Sequence, residues 1–424
     1  MSERDIDTMI DELVQREINR RQLLRLGAAG AMSVGAAGLL AACGSGSALS
    51  GGTKTVSKVI PNGKIGTQLN FSNWPLYIDV SHGKHPTLDH FTKQFGVHVK
   101  YTEEINDNTE FFGKVRQQLA NGTSGGRDII VMTDWMAGKM IKLGYIEKLN
   151  KAALPNVQKN LIPALQHIDF DPGRDYSVPW QSGQTGLIIR KDKVGNVTSV
   201  NDIFNPKYKG KVTMLTELRD SVPMTLKGMG IDPDKATTDQ WMAAVAKIKK
   251  AADSGQVRRF TGNDYIKDLT KGDAWISLGW SGDAVQLQKD NPHIKFIMPK
   301  EGCMLWSTSM EIPIGAPNPQ AAERFINYVY DPKVQADIAE YVNYVTPVKG
   351  VKEILAKRDP KLANNQLIFP SQQYTKNCTF EPVLGGAQGD KITKAFQLAI
   401  GDCGGPLCGP SRSSRSRPRP CRVT

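Results

Sequence analysis

Short apolar strands alternate with helical stretches early in the chain, and this alternation restricts the fold more than any other feature. Strand patterns at 68–72, 97–101 and 128–132 are separated by helical periods at 88–95 and 108–120. A strand that follows such a helix returns parallel to its predecessor, so the helices cover the faces of the sheet. The sequence therefore predicts an α/β fold with ligands bound beyond the carboxyl ends of the strands.

The alternation resumes later in the chain, after a segment rich in proline, glutamine and glycine. Strand patterns at 211–215 and 274–279 flank a helical period near 239–252. The apolar runs at 185–190 and 309–313 stand where the chain would pass from one α/β block to the other and back. A chain of 424 residues is long enough for two such blocks with separate cores. We therefore predict two lobes.

The helical period at 108–120 begins with Asn108, which is the expected N-cap of that helix.

The N-terminal residues have the pattern of an export signal. Arg20 and Arg21 precede an uncharged stretch over 26–42 that ends in Leu-Ala-Ala-Cys43. This stretch fits the apolar region of a signal and is too short and glycine-rich for a stable spanning helix. The arginine pair resembles a twin-arginine address, and the ending resembles the lipobox of bacterial lipoproteins. The resemblance implies removal of 1–42 and acylation of Cys43, which anchors the protein on the outer face of the cell membrane.

The remaining chain divides into a tether, two lobes and a tail. Glycine and serine make 43–66 a flexible tether. Lobe 1 is assigned to 67–186 and 309–401, including the C-terminal helices, and lobe 2 to 187–308. Arginine, serine and proline in 402–424 predict a disordered basic tail. The tail fits either an arm for an anionic surface or a non-native extension, and the sequence leaves both open.

The net charge limits the kinds of partner that the protein can bind, and the cysteine content limits the kind of scaffold. The formal net charge of +12 suits an anionic lipid, a cell-wall polymer or nucleic acid, and export argues against nucleic acid. Of the six cysteines, only Cys303 and Cys378 fall in the predicted lobes, so the chain is not a disulfide-built scaffold. Whether these two pair stays open, because spacing alone does not decide it.

Tryptophans at strand ends are the first sign of a binding site. One such residue usually packs in a core, but several from both halves of a chain indicate an aromatic-walled cleft. The negative potential of an aromatic ring face suits an organic cation. Trp241 and Trp275 lie within helical or apolar patterns and are assigned to the core. The strand-end residues are Trp74, Trp135, Trp180, Trp280 and Trp306.

Carboxylates accompany these rings. Glu217 and Asp220 follow the strand pattern at 211–215, and Asp283 comes three residues after Trp280. A buried carboxylate that faces an ammonium group makes a charge-assisted hydrogen bond. Acidic residues are also favoured where helices begin, and the two roles are compatible.

The chain over residues 67–400 resembles the extracytoplasmic polyamine-binding proteins, the spermidine and putrescine receptors of ABC importers. The resemblance implies a type II periplasmic-binding-protein fold, with two strands crossing between lobes that close around the ligand. It also implies delivery to a membrane permease, and we expect a monomer without a cofactor. The motifs that carry the resemblance are Asn73-Trp74-Pro75-Leu76-Tyr77, Leu215-Thr216-Glu217-Leu218-Arg219-Asp220, Trp280-Ser281-Gly282-Asp283, and Pro299-Lys300-Glu301-Gly302 leading to Trp306.

The resemblance further implies a set of ligand-binding residues. Asp283 takes the place of an ammonium partner in this set. At two positions the chain departs from the family: Thr308 stands where an aspartate is common, and Pro75 replaces a frequent hydroxyl residue. Loss of that carboxylate argues against two-ended recognition of putrescine and keeps a longer polyamine or another cationic or amino-type solute open. The implied residues are Trp74, Tyr77, Thr133, Trp135, Glu217, Asp220, Trp280, Asp283, Trp306 and Thr308.

Two other classes of function fit less well. The sequence has no Gly-x-Ser-x-Gly, no His-Glu-x-x-His and no phosphate-binding loop, so we expect no enzyme. His82, His85 and His90 are closely spaced, and metal-ion capture is an alternative that they leave open. A solvated loop is the other interpretation of these histidines. A different solute in the same fold remains a further alternative.

Overall fold

The computed structural model describes residues 58–382 and 384–401. The signal, Cys43, most of the tether and the basic tail lie outside the described residues. Ten strands form one hydrogen-bonded sheet in the order β2-β1-β3-β9-β4-β7-β5-β6, with β10 paired to β9 and β8 paired to β4. The strands are β1 Gln68–Asn73, β2 His98–Glu103, β3 Ile129–Thr133, β4 Ser177–Arg190, β5 Val212–Leu215, β6 Val257–Thr261, β7 Ile276–Trp280, β8 Ile294–Ile297, β9 Met304–Glu311 and β10 Thr379–Phe380.

Helices cover the sheet. Short 3₁₀ turns at Lys151–Ala153, Pro163–Leu165, Val200–Phe204 and Pro206–Tyr208 connect some of them. Within the described residues no helix is both long enough and apolar enough to cross a membrane. The α-helices are α1 Pro86–Phe95, α2 Asn108–Ala120, α3 Asp134–Lys142, α4 Pro155–Asn160, α5 Leu218–Gly228, α6 Thr238–Asp253, α7 Tyr265–Lys271, α8 Ser281–Asp290, α9 Pro319–Val329, α10 Pro332–Val342, α11 Val351–Arg358, α12 Pro360–Ala363, α13 Gln372–Thr375 and α14 Gly386–Ile400.

The two halves of the sheet have the same local order. Strands β2, β1 and β3 pair in parallel in the first half, and β6, β5 and β7 pair in parallel in the second. Between them, β4 and β9 run antiparallel to each other. Each half is therefore a strand–helix–strand unit whose carboxyl ends point toward the other half. The prediction of a two-lobe α/β fold with two crossing strands is confirmed.

Both crossing strands are longer than the sequence patterns suggested. Strand β4 spans 14 residues, and β9 spans eight. The first part of β4 lies beside the lobe-1 end of β9, and its last part pairs with β7. The pairing shifts register between Pro179 and Gln181. Proline, glutamine and Gly183 interrupt the apolar pattern here, so the sequence revealed only the run at 185–190.

Two boundaries differ from the sequence assignment. Ile60, which we placed in the tether, is buried, and its N–H donates to the Lys148 carbonyl at 2.9 Å. The packed chain therefore begins before residue 67. At the other end, α14 buries Ile392 and Phe396 and packs along α6 of lobe 2. The last helix belongs with lobe 2 and not with lobe 1, because its apolar face has its partner there.

The N-cap of α2 also differs from the expectation. Asp107, not Asn108, caps this helix, and its Oδ1 accepts a hydrogen bond from the Glu110 N–H at 2.9 Å. Asn108 is the first residue of the helix, and its side chain makes hydrogen bonds with residues outside the helix. The preceding acid therefore satisfies the free N–H groups of the first turn.

A disulfide joins Cys303 to Cys378, which answers the question that spacing left open. Cys303 comes directly before β9, and Cys378 directly before β10. The two strands pair in parallel, Thr379 with Met304 and Phe380 with Leu305. The disulfide therefore fixes the C-terminal segment to a crossing strand.

Loss of this disulfide should destabilise the protein. We expect the double change Cys303→Ser and Cys378→Ser to lower the free energy of unfolding by about 4 kcal/mol, because the bridge closes a long loop in the unfolded chain. Urea denaturation followed by tryptophan fluorescence measures the change. The wild-type protein in a reducing agent should have the same free energy of unfolding as the variant. Equal stability of the oxidised wild type and the variant would show that the bridge contributes nothing.

Candidate functional site

The carboxyl ends of the parallel strands in both lobes face one cavity beside the crossing strands. Its empty space, including the part open to solvent, is about 400 Å³. Every residue predicted to bind ligand lines it except Trp135. The lining residues are Trp74, Pro75, Tyr77, Asn108, Thr133, Glu217, Asp220, Asn263, Trp280, Asp283, Trp306, Thr308, Tyr344 and Glu381.

Three tryptophans form a connected wall. The rings of Trp74 and Trp280 meet edge to face at 5.7 Å, and those of Trp280 and Trp306 at 6.2 Å. The Trp74 indole N–H donates to the Val131 carbonyl at 3.0 Å, and that of Trp306 to Thr185 Oγ1 at 3.1 Å. These hydrogen bonds fix the rings before any ligand arrives. The wall joins both lobes, since Trp74 follows β1 and Trp280 ends β7.

Asp220 lies on the first turn of α5 and is buried. Its carboxylate accepts hydrogen bonds from Thr185 Oγ1 at 2.6 Å and from the Trp280 indole N–H at 3.2 Å. Burial raises the pKa of Asp220 to about 6, while these two donors favour its ionised form. Asp220 is therefore an anion at neutral pH, held against the aromatic wall.

Asp283 lies on the first turn of α8 and has more partners. Oδ2 accepts hydrogen bonds from the Tyr265 hydroxyl and from Asn263 Nδ2 at 3.0 Å, and Oδ1 accepts one from the Tyr344 hydroxyl at 2.8 Å. Burial raises its pKa to about 6 against the effect of these donors. Gly282 has a steric role, because a Cβ there would strike the Tyr344 ring. Gly282 and Asp283 together therefore hold the Tyr344 ring beside the cavity.

Glu217 joins the two lobes. Its Oε1 accepts hydrogen bonds from the Asn108 backbone N–H at 2.9 Å and from Asn108 Nδ2 at 2.7 Å. The same amide also donates to Thr133 Oγ1 at 2.8 Å. Burial, reinforced by the carboxylates of Asp107 and Asp220, raises the pKa of Glu217 to about 8. The use of Asn108 in this bridge explains why it does not cap α2.

Glu381 is a fourth carboxylate, which sequence reasoning missed. Its backbone N–H donates to the Leu305 carbonyl at 2.9 Å, which extends the pairing of β10 with β9. That register sets Glu381 beside Trp306. Burial and the carboxylates of Asp220 and Glu217 raise its pKa well above the usual range. The one sequence signal was spacing, since Glu381 follows Cys378 by three residues, as Trp306 follows Cys303.

Two predicted aromatic positions lie elsewhere. The ring of Trp135, at the start of α3, stacks against the Arg219 guanidinium, whose central carbon is 3.8 Å from the ring centroid. Trp135 is not among the lining residues of the cavity, and its role in ligand binding stays a prediction. Trp180 is buried in the core, with its ring edge to face against Phe71 and Tyr77. The sequence placed Trp180 at a strand end because Pro179 precedes it, but the residue lies inside β4.

Thr308 and Tyr77 form a neutral pair on the other side of the cavity. The Thr308 hydroxyl donates to the Gln181 carbonyl at 3.1 Å, so the Tyr77 hydroxyl, 3.1 Å away, donates to Thr308. Burial raises the pKa of Tyr77, which therefore stays protonated. Asn263 and Tyr344 also line the cavity without having been predicted, because no local motif marks an isolated polar residue after a strand or helix.

The closely spaced histidines form no metal site in the structure. The His85 ring meets the Tyr101 ring edge to face with centroids 4.8 Å apart, and its Nδ1 lies 3.0 Å from the Asp79 carbonyl oxygen. Over 58–382 and 384–401 no group of three or more His, Cys, Asp or Glu side chains is arranged to hold a metal ion.

Similar proteins share this architecture. A spermidine/putrescine-binding periplasmic protein of Escherichia coli is 29% identical over 321 residues, which cover 75% of this chain and 88% of the relative. A putrescine-binding periplasmic protein of Pseudomonas aeruginosa is 28% identical over 348 residues, which cover 77% of this chain and 90% of the relative. A solved structure from Listeria monocytogenes, assigned to a spermidine/putrescine ABC transporter, superimposes with a TM-score of 0.68 at 26% identity, covering 79% of this chain and 99% of that one.

The family model for bacterial extracellular solute-binding proteins matches residues 87–369. That span includes both crossing strands and every lining residue from Asn108 to Tyr344. The match covers well over half of the chain, and the fold and cavity described above agree with it. The chain belongs to the bacterial extracellular solute-binding protein family.

Proposed function

We propose that this protein is the receptor of an ABC importer and captures a polyamine, such as spermidine or putrescine, for delivery to a membrane permease. The observation that carries the proposal is the cavity itself. Four carboxylates and three tryptophans line it, and no Lys, Arg or His is among its lining residues. Such a cavity disfavours anions and suits an alkyl chain that bears ammonium groups. The relatives from Escherichia coli and Pseudomonas aeruginosa bind ligands of this class, spermidine and putrescine.

The carboxylates and the tryptophans of the cavity contact different parts of the ligand in this proposal. Ammonium N–H groups donate to the carboxylates of Glu217, Asp220 and Glu381, and the methylene chain packs against Trp280 and Trp306. Charge-assisted hydrogen bonds in a desolvated cavity are stronger than those between neutral groups. Another small organic cation would satisfy the same groups and is the second candidate. The protein carries out no reaction on the ligand.

Closure of the lobes completes the site. The Asn108–Glu217 bridge and the hydrogen bond from Thr216 Oγ1 to Asp107 Oδ2 at 2.7 Å connect lobe 1 to lobe 2. Asn106 Nδ2 adds a third connection, to Asp264 Oδ2 at 3.2 Å. An open form lacks these contacts, so the ligand enters before they form. The closed monomer then docks on the permease.

Removal of one carboxyl charge should weaken amine binding. We expect Asp220→Asn to raise the Kd for spermidine by about 10- to 100-fold, the loss expected for one charge-assisted hydrogen bond. Titration calorimetry on both proteins measures the change. The control is Asp253→Asn, since Asp253 pairs only with Lys249 on the exposed face of α6 among the ion pairs described. Unchanged affinity in Asp220→Asn, or no heat with any amine in the wild type, would refute the proposal.

Binding of a cation should release protons. Burial raises the pKa of Glu217 to about 8 in the ligand-free protein, and that of Glu381 lies well above its usual range. An ammonium beside them favours the ionised forms and lowers both pKa values, so affinity rises with pH up to about 8, the ligand-free pKa of Glu217. Calorimetry at pH 7 in buffers of different ionisation enthalpy should show release of protons on binding. Proton uptake, or no exchange, is the contrary result.

Lipid attachment at Cys43 is part of the proposal. A receptor anchored on the outer face of the membrane keeps a high effective concentration near its permease. The twin-arginine pattern of the signal fits export of a folded protein, so that the lobes form before transport.

Cys43→Ala should separate export from anchoring. We expect the variant to leave the membrane fraction and to partition into the aqueous phase of a Triton X-114 extract, because no thiol remains to be acylated. Immunoblots of the fractions measure this, with Ser45→Ala as the control. A variant that stays with the detergent phase would show that Cys43 is not the anchor.

A further inference from the structure

Glu381 lies on a short C-terminal segment that borders the cavity. Residues 376–382, which we call the strap, follow α13 and include β10. Strand β10 has only two residues and pairs with β9. Beyond it, the Glu381 N–H donates to the Leu305 carbonyl at 2.9 Å. A pairing this short contributes little stability of its own, so other contacts must hold the strap.

A disulfide and a close backbone approach fix the start of β10. Cys378 directly precedes β10, and its disulfide joins it to Cys303, which directly precedes β9. Gly302 has a φ of 92°, and a Cβ at this position would clash with the Asn377 carbonyl. The strap therefore lies against the backbone of 302–303 with no room for a side chain between them. The disulfide makes this contact covalent.

Lys227 adds a polar contact from lobe 2. It lies on the last turn of α5 and is buried, and its ammonium donates to the Asn377 carbonyl and to Thr379 Oγ1, each at 2.9 Å. Burial lowers the pKa of Lys227. The two hydrogen bonds offset the cost of burying the ammonium, so Lys227 and the strap hold each other in place.

The carboxyl at the end of the strap lies in an unfavourable environment. Burial and the carboxylates of Asp220 and Glu217 raise the pKa of Glu381, and Arg219 offsets these effects only in part. Within 58–382 and 384–401 no donor forms a hydrogen bond with the Glu381 carboxyl oxygens. The position of this carboxyl therefore depends on the backbone of the strap and not on contacts of its own.

From these contacts we propose that the strap positions a ligand-binding carboxylate, and that the receptor binds an amine tightly only while the Cys303–Cys378 disulfide is intact. The inference rests on the proposed function, in which Glu381 accepts a hydrogen bond from an ammonium group. Once the bridge is open, the Glu381 carboxyl gains free energy by moving into solvent, where it ionises without desolvation or like-charge repulsion. An incoming amine must then order the strap again or lose one charge-assisted partner.

A dithiol reductant opens the bridge by thiol–disulfide exchange. One thiolate of the reductant attacks a sulfur of the Cys303–Cys378 bond, and its second thiol then displaces the cysteine from the mixed disulfide. The reductant is oxidised to a cyclic disulfide, while two electrons and two protons pass to Cys303 and Cys378, which become thiols. Cys378 is partly exposed and Cys303 is buried, so Cys378 is the side that a reductant reaches.

Calorimetry with spermidine on the oxidised and the dithiothreitol-reduced protein tests the inference. Reduction should raise the Kd about tenfold, the loss expected for one charge-assisted hydrogen bond. Glu381→Gln should raise the Kd by a similar factor, and reduction should then change it little, because both changes act on one carboxylate. Asp220→Asn keeps the strap carboxylate and should still lose affinity on reduction. The double change Cys303→Ser and Cys378→Ser should have the Kd of the reduced protein, with or without dithiothreitol.

Two outcomes overturn this inference and leave the proposed function standing. They are equal Kd values for oxidised and reduced wild-type protein, and equal losses on reduction in the wild type and in Glu381→Gln. Absence of heat with spermidine in the oxidised wild type overturns both. Thermal melts show whether each protein is folded at the assay temperature. If the reduced protein is unfolded there, Lys227→Met decides, because it loosens the strap with the disulfide intact and should also raise the Kd; a folded variant with wild-type affinity contradicts the proposal.

Discussion

The antiparallel pairing of β4 with β9 is the contact on which the other features depend. These two strands continue the sheet from one lobe into the other, so the carboxyl ends of two parallel units face a common space. They also contribute Thr185, Trp306 and Thr308 to the site. Because one strand pair both joins the lobes and lines the cavity, a change of lobe angle also changes the geometry of the site. Binding and closure are coupled through this pair.

Desolvation sets the chemistry of the cavity. The carboxyls of Asp220 and Asp283 have raised pKa values because they are buried, yet hydrogen bonds from hydroxyl, indole and amide groups hold both as anions. Neighbouring carboxylates raise the pKa values of Glu217 and Glu381 further, so these two groups keep protons until a cation arrives. The cavity thus combines fixed charges with charges that appear on binding. Its preference for cations follows from this arrangement and from the missing positive side chains among its lining residues.

The sequence predicted the lobes and most of the site because those features are local. Strand and helix periods gave the α/β units, and strand-end residues such as Trp74 and Asp283 lie where parallel strands place their ligands. The rest depends on tertiary contacts. Trp135 contacts Arg219 and is not among the lining residues, and Glu381 reaches the site through the disulfide and the pairing of β10 with β9. No period or motif encodes those partners. The Cys303–Cys378 pairing likewise needed the fold.

A crystal structure of the protein with a bound amine would show whether the cavity is the amine-binding site. We expect electron density for an alkyl chain between the tryptophan wall and the crossing strands, with an ammonium nitrogen about 2.8 Å from an oxygen of Asp220, Glu217 or Glu381. We also expect the Asn108–Glu217 bridge to stay closed over the ligand. An anion in the cavity, or an amine bound at another surface while the cavity stays empty, would contradict polyamine capture in this cavity.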